Sequence, residues 1–329
     1  MALVYKDENM MKFYKYQGAG NDFLIADNRD GHITEKDGVL TAVLEDGTLW
    51  SRKIEDLCDR RYGVGADGLM LLDAGTKQHS AVTLPGVDST EVHSECRPTG
   101  TDFQMTYFNS DGSGGMMCGN GGRCIVAFAK DCGVKGTDLP DGSKKYLFTA
   151  ADGPHEAFVA NEAAGEKTIR LKMKDVDEYL AYENLAEVKV PSEGYFLDTG
   201  TRHYVRFVDN LEEYDIVSEG REIRYNAPEL QPVGANVNFV EPGNGLLNVR
   251  TYEKGVEDET FACGTGIVAS ALASYIKGVS PTTEDQDSRV RYDIKAKRDR
   301  LAVDFIPTDS LAKDVFLTGP AVFVCEIEI

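Results

Sequence analysis

Two cysteines occur in matching sequence contexts in separate parts of the chain. Cys118 opens the run Cys-Gly-Asn-Gly, and Cys263 opens the run Cys-Gly-Thr-Gly. A nearly all-apolar stretch follows each run and ends at a glycine, Gly133 in one case and Gly278 in the other. Apolar residues on every side indicate a buried helix, and a glycine after the last apolar residue is typical of a helix C-terminus. The pattern predicts two buried helices, each with a cysteine at its N-terminus.

A cysteine at the start of a helix has two chemical advantages. The positive end of the helix dipole stabilises a thiolate, so we expect the pKa of each thiol to fall below its free value of about 8.5. The glycines that follow leave backbone N–H groups accessible, and such groups bind anions such as a carboxylate. Two helices of this kind, facing each other, would bind one carboxylate from both sides and place a sulfur on each face of the neighbouring carbon.

This arrangement suits the inversion of an α-carbon. A thiolate removes the α-proton while a thiol on the opposite face delivers another, and the two groups exchange roles in the next turnover. The N–H groups stabilise the charge that moves onto the carboxylate as the proton leaves. A single cysteine in such a context is more often a core residue, and a binding module without activity stays an alternative. The presence of two copies favours the catalytic interpretation.

The remaining sequence consists mainly of short apolar or alternating segments between turn residues, which predict strands. These segments are 12–16, 68–72, 103–109, 146–150, 156–160, 168–173, 203–208, 237–240, 247–252, 289–294, 301–305 and 321–327. Short helices are predicted near 34–44 and 52–59. A helix wrapped by strands, built twice, is the simplest architecture. We therefore expect an α+β fold of two pseudo-symmetric halves, each a strongly curved, mostly antiparallel sheet or barrel around a central helix.

The length of 329 residues is sufficient for two domains. We expect an N-terminal half at 11–155, which contains the first of the two cysteines and is completed by a C-terminal strand at 318–329. A second half at 156–317 contains the other cysteine. Residues 1–10 are expected to be an extension or a tag.

Composition argues against two classes of partner, nucleic acids and anionic membranes. The net charge of −20 opposes binding to nucleic acid and to anionic membranes. The sequence contains no apolar stretch of about 18 residues, and its first residues lack the apolar core of a signal peptide, so we expect a cytoplasmic protein.

Polar stretches at 75–102 and 280–288 are expected to be surface insertions without a catalytic role.

Cysteine and histidine usage argues against a disulfide framework and a structural zinc site. The chain has seven cysteines, an odd number, without a C-x-x-C pair, and its five histidines are scattered. Apart from the two in matching contexts, the cysteines are interpreted as non-catalytic: Cys58, Cys96, Cys124, Cys132 and Cys325.

Further motifs extend the pattern along the chain. They are 16–23 (YQGAGNDF), 60–69 (RRYGVGADGL), 108–113 (FNSDGS), 117–124 (MCGNGGRC), 198–203 (DTGTRH), 234–240 (GANVNFV), 249–255 (VRTYEKG) and 259–266 (ETFACGTG). In order and approximate spacing, they resemble the diaminopimelate epimerases over nearly the whole chain from Met11.

The resemblance implies two pseudo-symmetric halves with the active site in the cleft between them. It implies the interconversion of LL- and meso-2,6-diaminopimelate, on the route to lysine and peptidoglycan precursors. It implies that this reaction proceeds without pyridoxal phosphate, without any other cofactor and without a metal. It also implies a homodimer.

The resemblance assigns roles to individual residues. Cys118 and Cys263 match the two acid/base thiols, and Glu253 matches the carboxylate that holds the α-ammonium group. Lys254 matches the residue that pairs with the distal carboxylate, and His203 matches a histidine near the cleft that tunes thiol ionisation. The other matches are backbone donors to the reacting carboxylate (Gly119, Asn120, Gly264 and Thr265) and substrate-binding amides (Asn21, Asn109 and Asn236).

The asparagines keep alternative interpretations. Asn21 and Asn109 stand beside glycine, aspartate or serine, and are also typical of turns. Asn238 is an alternative to Asn236 as the ligand, and we expect the two to point to opposite sides of their strand.

The sequence also departs from the usual pattern of the family at the distal end of the substrate. Lys254 stands where the family usually has arginine, the pair at 201–202 replaces a usual Asn-Pro, and the loop at 256–258 is one residue longer. An epimerase with altered distal contacts is therefore expected, and a racemase of a cyclic amino acid is the alternative. His203 is also typical of a structural histidine, and Glu253 with Lys254 is typical of a surface ion pair.

Overall fold

The computed structural model describes residues 10–76, 100–115, 117–163, 165–189 and 192–329. All predicted site residues lie within these ranges. The predicted insertion at 75–102 falls largely outside them, and Cys96 lies outside them as well. In the described part of the chain, no helix is both long enough and apolar enough to cross a membrane.

Strands dominate the described chain, and the elements form two series. The first series is β1 (Lys12–Gly18), β2 (Asn21–Asn28), β3 (Ile33–Lys36), β4 (Val39–Val43), β5 (Leu49–Lys53), α1 (Ile54–Cys58), β6 (Gly68–Ala74), β7 (Phe103–Asn109), α2 (Gly119–Asp131), β8 (Thr137–Asp138), β9 (Lys144–Ala150), β10 (Gly153–Ala163) and β11 (Glu166–Lys172). The second series is β12 (Tyr179–Tyr182), β13 (Gly194–Asp198), β14 (Arg202–Phe207), α3 (Ile216–Asn226), β15 (Asn236–Pro242), β16 (Leu247–Glu253), β17 (Asp258–Thr260), α4 (Gly264–Ile276), β18 (Thr283–Glu284), β19 (Val290–Lys295), β20 (Arg300–Pro307) and β21 (Ala312–Glu328). Two short 3-10 helices, Leu211–Glu213 and Pro228–Leu230, flank α3.

The first barrel closes around α2. Its hydrogen-bonded neighbours run β1–β2–β6–β7–β9–β10–β11–β21 and return to β1. The pairs β2/β6 and β7/β9 are parallel, and the others are antiparallel. Apolar side chains of the strands, such as Phe23, Tyr146 and Ile169, pack in one cluster with the apolar residues of α2. The helix is apolar on every side because strands surround it.

The second series repeats this order around α4. Its neighbours run β13–β14–β15–β16–β19–β20–β21, and β14/β15 and β16/β19 are the parallel pairs. A bridge between Val176 and Ala312, together with the pairing of β12 and β13, connects the two ends of the series. As in the first barrel, one antiparallel pair separates the two parallel pairs, and the other pairs are antiparallel. The predicted fold of two pseudo-symmetric halves, each wrapped around a central helix, is confirmed.

Strand β21 belongs to both barrels. Residues 312–318 pair with β20, residues 316–322 pair with β11, and residues 322–328 pair with β1. Because β10 and β11 pair within the first barrel, we propose a boundary after Lys172 in place of the predicted division at residue 155.

Each predicted strand overlaps an observed one, and the helix predicted near 52–59 is present as α1. The helix predicted near 34–44 is wrong, because this segment forms the antiparallel pair β3 and β4. Asp37 and Gly38 connect the two strands with φ values of 52° and 77°. Positive φ at both positions is the turn geometry that an Asp-Gly pair favours in a hairpin. The helix α3 was not predicted.

Both central helices end at a glycine, as predicted. Gly133 and Gly278 have φ values of 74° and 81°, in the left-handed region that glycine adopts without a steric penalty. The N–H groups of each glycine and of the valine that follows it donate back to helix carbonyls. The two helices therefore have the same C-terminal geometry and the same length of 13 residues.

Candidate active site

The two central helices meet N-terminus to N-terminus between the barrels. Cys118 precedes α2 and Cys263 precedes α4, both with extended backbone and without a side-chain cap hydrogen bond. A Cβ atom on Gly264 would lie 3.7 Å from Cα of Gly119 and 3.2 Å from Cδ2 of Leu317. The backbones of the two helix starts are therefore in contact, and a larger side chain at position 264 would destabilise this packing by about 1–3 kcal/mol.

A cavity of about 490 Å³ lies at this contact and is lined by both barrels. Its lining includes ten of the predicted site residues: Asn21, Cys118, Gly119, Asn120, Asn236, Glu253, Lys254, Cys263, Gly264 and Thr265. It also includes Thr201 and Arg202, which the sequence connects with the distal end of the substrate, and residues for which no role was predicted: Met117, Asp198, Gly200 and Ala262. A neighbouring cavity of about 720 Å³ shares Asn21 but contains neither cysteine. Of these two cavities, the smaller one therefore has the two-thiol lining that inversion of an α-carbon requires.

Burial raises the pKa of both thiols in the cleft. The pKa of Cys263 rises to about 12, because of burial first and the negative charge of Glu253 second, against a hydrogen bond from the Thr265 hydroxyl. Burial likewise raises the pKa of Cys118, although N–H groups in the first turn of α2 lower it. The expected pKa below the free value is wrong. The helix N-termini act in the predicted direction, but removal of the thiolate from water outweighs them.

Asn21, at the start of β2, is hydrogen-bonded through both atoms of its amide. Its Nδ2 donates to Oδ2 of Asp67 at 2.9 Å, and its Oδ1 accepts from Nδ2 of Asn120 at 2.6 Å. Arg60 donates to Asp67 at 2.6 Å. Asn21 thus connects a charged pair to the first turn of α2. The sequence analysis predicted no role for Asp67, because only the folded chain brings it to Asn21.

Asn109, at the end of β7, lies outside the cavity lining. Its Nδ2 donates to Oγ of Ser113 at 3.0 Å, and its N–H donates to the Ser113 carbonyl at 2.9 Å. These contacts form a turn, which is the alternative interpretation of Asn109. A contact between Asn109 and substrate stays a prediction.

The two asparagines of β15 have different surroundings. Asn236 lines the cavity, where its Nδ2 donates to the Arg202 carbonyl at 3.1 Å and its Oδ1 accepts from the Lys254 N–H at 2.9 Å. Asn238 is fully buried beneath the cavity wall. The expectation that they point to opposite sides is wrong, because residues two apart in a strand share a face. Val237, between them, packs into the apolar cluster on the other side.

His203 is fully buried behind the second helix N-terminus. Its Nδ1 lies 3.0 Å from Nδ2 of Asn238, and that amide nitrogen also donates to the Tyr204 carbonyl. The Asn238 amide therefore donates to Nδ1, and the ring hydrogen belongs on Nε2, which lies 2.9 Å from Oγ1 of Thr265. Burial lowers the pKa of His203 to about 3, so the ring is neutral. The Thr265 hydroxyl lies 3.4 Å from Sγ of Cys263.

The negative charge of the Glu253 carboxylate acts on both thiols. Its Oε2 accepts a hydrogen bond of 2.8 Å from the Thr260 hydroxyl, and burial raises its pKa. Within the described residues, Glu253 and Lys254 form no ion pair, so the surface-pair alternative is wrong. The Lys254 side chain is exposed at the cavity rim. The sequence analysis predicted no role for Thr260.

The remaining described cysteines lie away from the cavity. Burial raises the pKa of three of these thiols to about 12: Cys58, Cys124 and Cys132. Cys325 is half-buried on β21. Among the residues that the structure describes, no group of three or more His, Cys, Asp or Glu side chains is placed to hold a metal ion.

Comparison with known proteins shows the family to which this chain belongs. The family model described as diaminopimelate epimerase matches residues 13–163 and 195–300. A diaminopimelate epimerase of Flavobacterium psychrophilum is 38% identical over 320 residues, which cover 97% of this chain and 100% of that protein. One of Chlorobaculum tepidum is 36% identical over 305 residues, with 92% and 95% covered. This chain belongs to the diaminopimelate epimerase family.

Solved structures of other proteins share the fold of this diaminopimelate epimerase family member. A phenazine biosynthesis protein of the PhzF family from Bacillus anthracis aligns with a TM-score of 0.61 at 14% identity, covering 98% of this chain and 99% of that one. A hydroxyproline epimerase from Agrobacterium vitis, with bound trans-4-hydroxy-L-proline, aligns with a TM-score of 0.59 at 14% identity, covering 99% and 93%. At such identities, these likenesses show the fold alone.

Three of the positions at which the sequence is expected to depart from the usual diaminopimelate epimerase pattern lie together in the structure, whereas the loop at 256–258 lies outside the lining of this cavity. Thr201, Arg202 and Lys254 all line the cavity on the side of the second barrel. The Asn236 side chain joins the backbones of two of them, since it donates to the Arg202 carbonyl and accepts from the Lys254 N–H. These three expected departures therefore concern one wall of the cavity and not the two helix N-termini.

Proposed function

We propose that this chain interconverts LL- and meso-2,6-diaminopimelate, with Cys118 and Cys263 as the two acid/base groups. The observation that carries the proposal is the position of both cysteines at facing helix N-termini in one cavity. Membership of the diaminopimelate epimerase family supports this substrate. The reaction lies on the route to lysine and peptidoglycan precursors.

The carboxylate of the reacting centre binds between the two helix starts. The first N–H groups of a helix have no partner within the helix, and neither helix has an acidic residue in its first turn. Donors from both sides converge on one carboxylate, at Gly119, Asn120, Gly264 and Thr265. These donors stabilise the transition state because negative charge moves onto the carboxylate as the α-proton leaves.

Glu253 holds the α-ammonium group of the same centre. Its charge acts on both thiols, which fits a position beside a carbon that lies between them. The ammonium group neutralises the effect of this carboxylate on the thiols and brings a positive charge next to them. Because a nearby positive charge favours a thiolate, substrate binding lowers the pKa of both thiols from the high values that burial imposes.

The proton transfers balance within one turnover. A thiolate on one face forms an S–H bond as the α-C–H bond breaks, and the electron pair moves toward the carboxylate. The thiol on the opposite face loses its proton to the carbon, which forms a new C–H bond of opposite configuration. The enzyme ends with the proton on the other sulfur, ready for the reverse direction.

The distal amino-acid group of the substrate lies toward the wall formed by the second barrel. Lys254 pairs there with the distal carboxylate as a single charge, without the two-pronged contact that arginine makes. Asn21, Asn109 and Asn236 are proposed as amide contacts to substrate. His203 supports the site through Thr265, whose hydroxyl contacts the sulfur of Cys263.

We also propose that the protein is a cytoplasmic homodimer, on the basis of the resemblance to its family. Light scattering after size exclusion is expected to give about twice the chain mass of 36.1 kDa. A mass equal to that of one chain would contradict the dimer and leave the catalytic proposal intact.

Solvent exchange tests the catalytic proposal directly. In heavy water and without any added cofactor, LL-diaminopimelate is expected to acquire deuterium at one α-carbon while meso isomer accumulates, followed by mass spectrometry and chiral chromatography. L-Proline serves as the comparison substrate for the alternative racemase. Exchange with proline but not with diaminopimelate would assign the chain to that alternative, and exchange with neither would remove the two-thiol mechanism.

A further inference from the structure

A fully buried arginine lies in the second turn of α2, five residues after Cys118. Arg123 has no exposed surface and is the largest fully buried side chain among the described residues. Its Nη2 donates to Oδ1 of Asn120 at 2.8 Å, its Nη1 to the Gly119 carbonyl at 3.3 Å, and its Nε to the Pro320 carbonyl at 3.3 Å. All three acceptors are neutral.

A buried guanidinium without a carboxylate partner is unusual, because burial of an unpaired charge is strongly unfavourable. No ion pair is formed by Arg123 with any residue that the structure describes. Arg170, by contrast, donates to both oxygens of Asp304 at 3.1 and 2.6 Å. Cys118 is one of the groups that interact electrostatically with Arg123, after Cys124 and before Asp299. The positive charge of Arg123 can therefore act on the cleft, where the reaction places a carboxylate and a thiolate.

The contact to Arg123 determines the orientation of the Asn120 amide. A guanidinium only donates, so the atom of Asn120 that faces it is Oδ1, and Nδ2 faces the opposite way. From there Nδ2 donates to Oδ1 of Asn21 at 2.6 Å and to the Ala262 carbonyl at 2.9 Å. Ala262 belongs to the second barrel and directly precedes Cys263. A single amide thus joins the start of α2 to the residue next to the second thiol.

We propose that Arg123 is a positioning residue for epimerisation. It fixes the orientation of the Asn120 amide, which bridges the two helix starts, and it supplies a buried positive charge that offsets the anions of the cleft. The proposal rests on the proposed function. The Asn120 bridge sets the spacing between the two thiols, and the charge of Arg123 favours the ionised form of Cys118. At the matching position, five residues after Cys263, α4 carries Val268 in place of an arginine.

The electrostatic effect of Arg123 reaches the first thiol. Burial raises the pKa of Cys118, and the positive charge of Arg123 is among the contributions that lower it. Removal of the charge should therefore raise the pKa of this thiol further and slow its alkylation. The same change should have less effect on Cys263, which provides an internal reference in the same molecule.

Three variants separate the effect of the Asn120 bridge from the effect of the Arg123 charge. Arg123→Lys keeps the charge but cannot hold Asn120 and Gly119 together, Asn120→Ala removes the bridge but keeps the charge, and Arg123→Met removes both. Arg170→Lys serves as the matched control, because its guanidinium is paired with Asp304 outside the cleft. Epimerisation kinetics and the iodoacetamide labelling rate of each cysteine, read by peptide mapping at several pH values, are the measurements.

Arg123→Lys and Asn120→Ala are each expected to lower kcat by about 10- to 100-fold with KM changed by about threefold or less, since misplaced reacting groups affect the chemical step most. Their double variant is expected to lose little more. Arg123→Met is expected to slow labelling of Cys118 by about tenfold at pH 8, which corresponds to about one pKa unit.

A purely structural role predicts a different result. All variants would then melt at lower temperature, but the folded protein would keep the kcat of the wild type and its labelling profile, and this would overturn the proposal. If Arg123→Met does not fold, Arg123→Lys and Asn120→Ala still decide whether Arg123 positions the two helix starts through Asn120. If the wild type does not act on diaminopimelate, the proposed function fails on its own, whereas the difference in labelling between Cys118 and Cys263 still reports on Arg123.

Discussion

The two barrels share the frame of the site but differ in the polar residues around each thiol. Each contributes a 13-residue helix that begins after a cysteine and ends at a glycine with positive φ. Around Cys118, the neighbouring polar groups are the Asn120 amide and a buried arginine. Around Cys263 they are the Thr265 hydroxyl and a buried neutral histidine. Glu253, which also lines the cavity, belongs to the second barrel.

The shared helix starts and the different polar residues meet two separate requirements of the reaction. Removal and return of a proton on opposite faces of a carbon need equivalent groups on both sides, and a repeated helix N-terminus supplies equivalent N–H donors and thiols. The other substituents of that carbon, an ammonium group and a side chain, are not equivalent to each other. Their recognition requires unequal walls, which the residues outside the repeated helices provide.

Removal of either thiol tests the shared frame and has the largest expected effect. Cys118→Ala and Cys263→Ala should each lower the rate of epimerisation by at least about 10³-fold, because one face loses its acid/base group. Chiral chromatography of LL- and meso-diaminopimelate measures the rate, and circular dichroism checks the fold. Cys132→Ala, at the other end of α2 and outside the cavity, is the matched control and should stay within about twofold of the wild type.

Retention of more than about a tenth of the activity by either alanine variant would contradict the requirement for two equivalent groups. The variants can also sharpen the comparison. Each should still exchange the α-hydrogen of the isomer that presents its proton to the remaining thiol, and this exchange in heavy water would show which barrel serves which isomer.

Glu253→Gln tests the asymmetric part of the site. Loss of the carboxylate leaves the α-ammonium group without its charge partner, so kcat/KM should fall by about 10²- to 10³-fold. Steady-state kinetics at pH 8 measure the change. Glu257→Gln is the matched control in the same loop, because Glu257 pairs with Arg224 outside the cavity. Equal effects of the two substitutions would show that the loss comes from loop structure and not from substrate binding.

His203→Gln tests the buried neutral histidine of the second barrel. Since burial lowers the pKa of His203 to about 3, the unfolded chain takes up a proton near pH 6.5 and the folded chain does not. Stability from this group is therefore fully present above pH 6.5 and is lost as the pH falls toward 3. From pH 8 to pH 5 the wild type should lose about 2 kcal/mol more in unfolding free energy than the variant.

Urea denaturation at the two pH values gives these free energies. Parallel acid dependence of the wild type and His203→Gln would mean that His203 is protonated in the folded protein, and its assigned tautomer would then be wrong.

Lys254→Arg has the smallest expected effect and tests the wall at which a departure from the family is expected. A guanidinium can contact both oxygens of the distal carboxylate, so KM for LL-diaminopimelate should fall by about two- to fivefold with kcat unchanged. Lys297→Arg, at a lysine paired with Glu259 outside this cavity, is the control. A rise in KM on Lys254→Arg would indicate that neighbouring Arg202 or Thr201 already contacts that carboxylate.

Much of the site follows from patterns that are local in the chain. Cys118 and Cys263 are followed by glycines and apolar runs, and those features alone indicate a cysteine at a buried helix N-terminus. Most strands were predicted for the same reason, since alternation and turn residues lie within a few positions of each other. The segment at 34–44, predicted as a helix, is a hairpin whose Asp37-Gly38 turn signal is also local, so this error does not reflect missing tertiary information.

Other features depend on residues that are distant in the chain. The direction of the thiol pKa shifts could not be predicted, because the helix N-terminus is visible in sequence but the extent of burial is not. Asp67, Thr260 and Arg123 stand in recognised motifs without any local sign of their contacts. Asn238 was placed on the wrong side of its strand relative to Asn236, through an error in strand periodicity and not through missing tertiary information.

The sequence by itself determined that two cysteines begin two buried helices and that the chain belongs to a family of epimerases, because these features reside in short contiguous motifs. Only the tertiary structure decided that the two helix starts touch, that one asparagine joins them, and that burial outweighs the helix dipole at the thiols. These outcomes depend on distances between residues on different barrels and on exclusion of water, and neither quantity is encoded within a short stretch of chain.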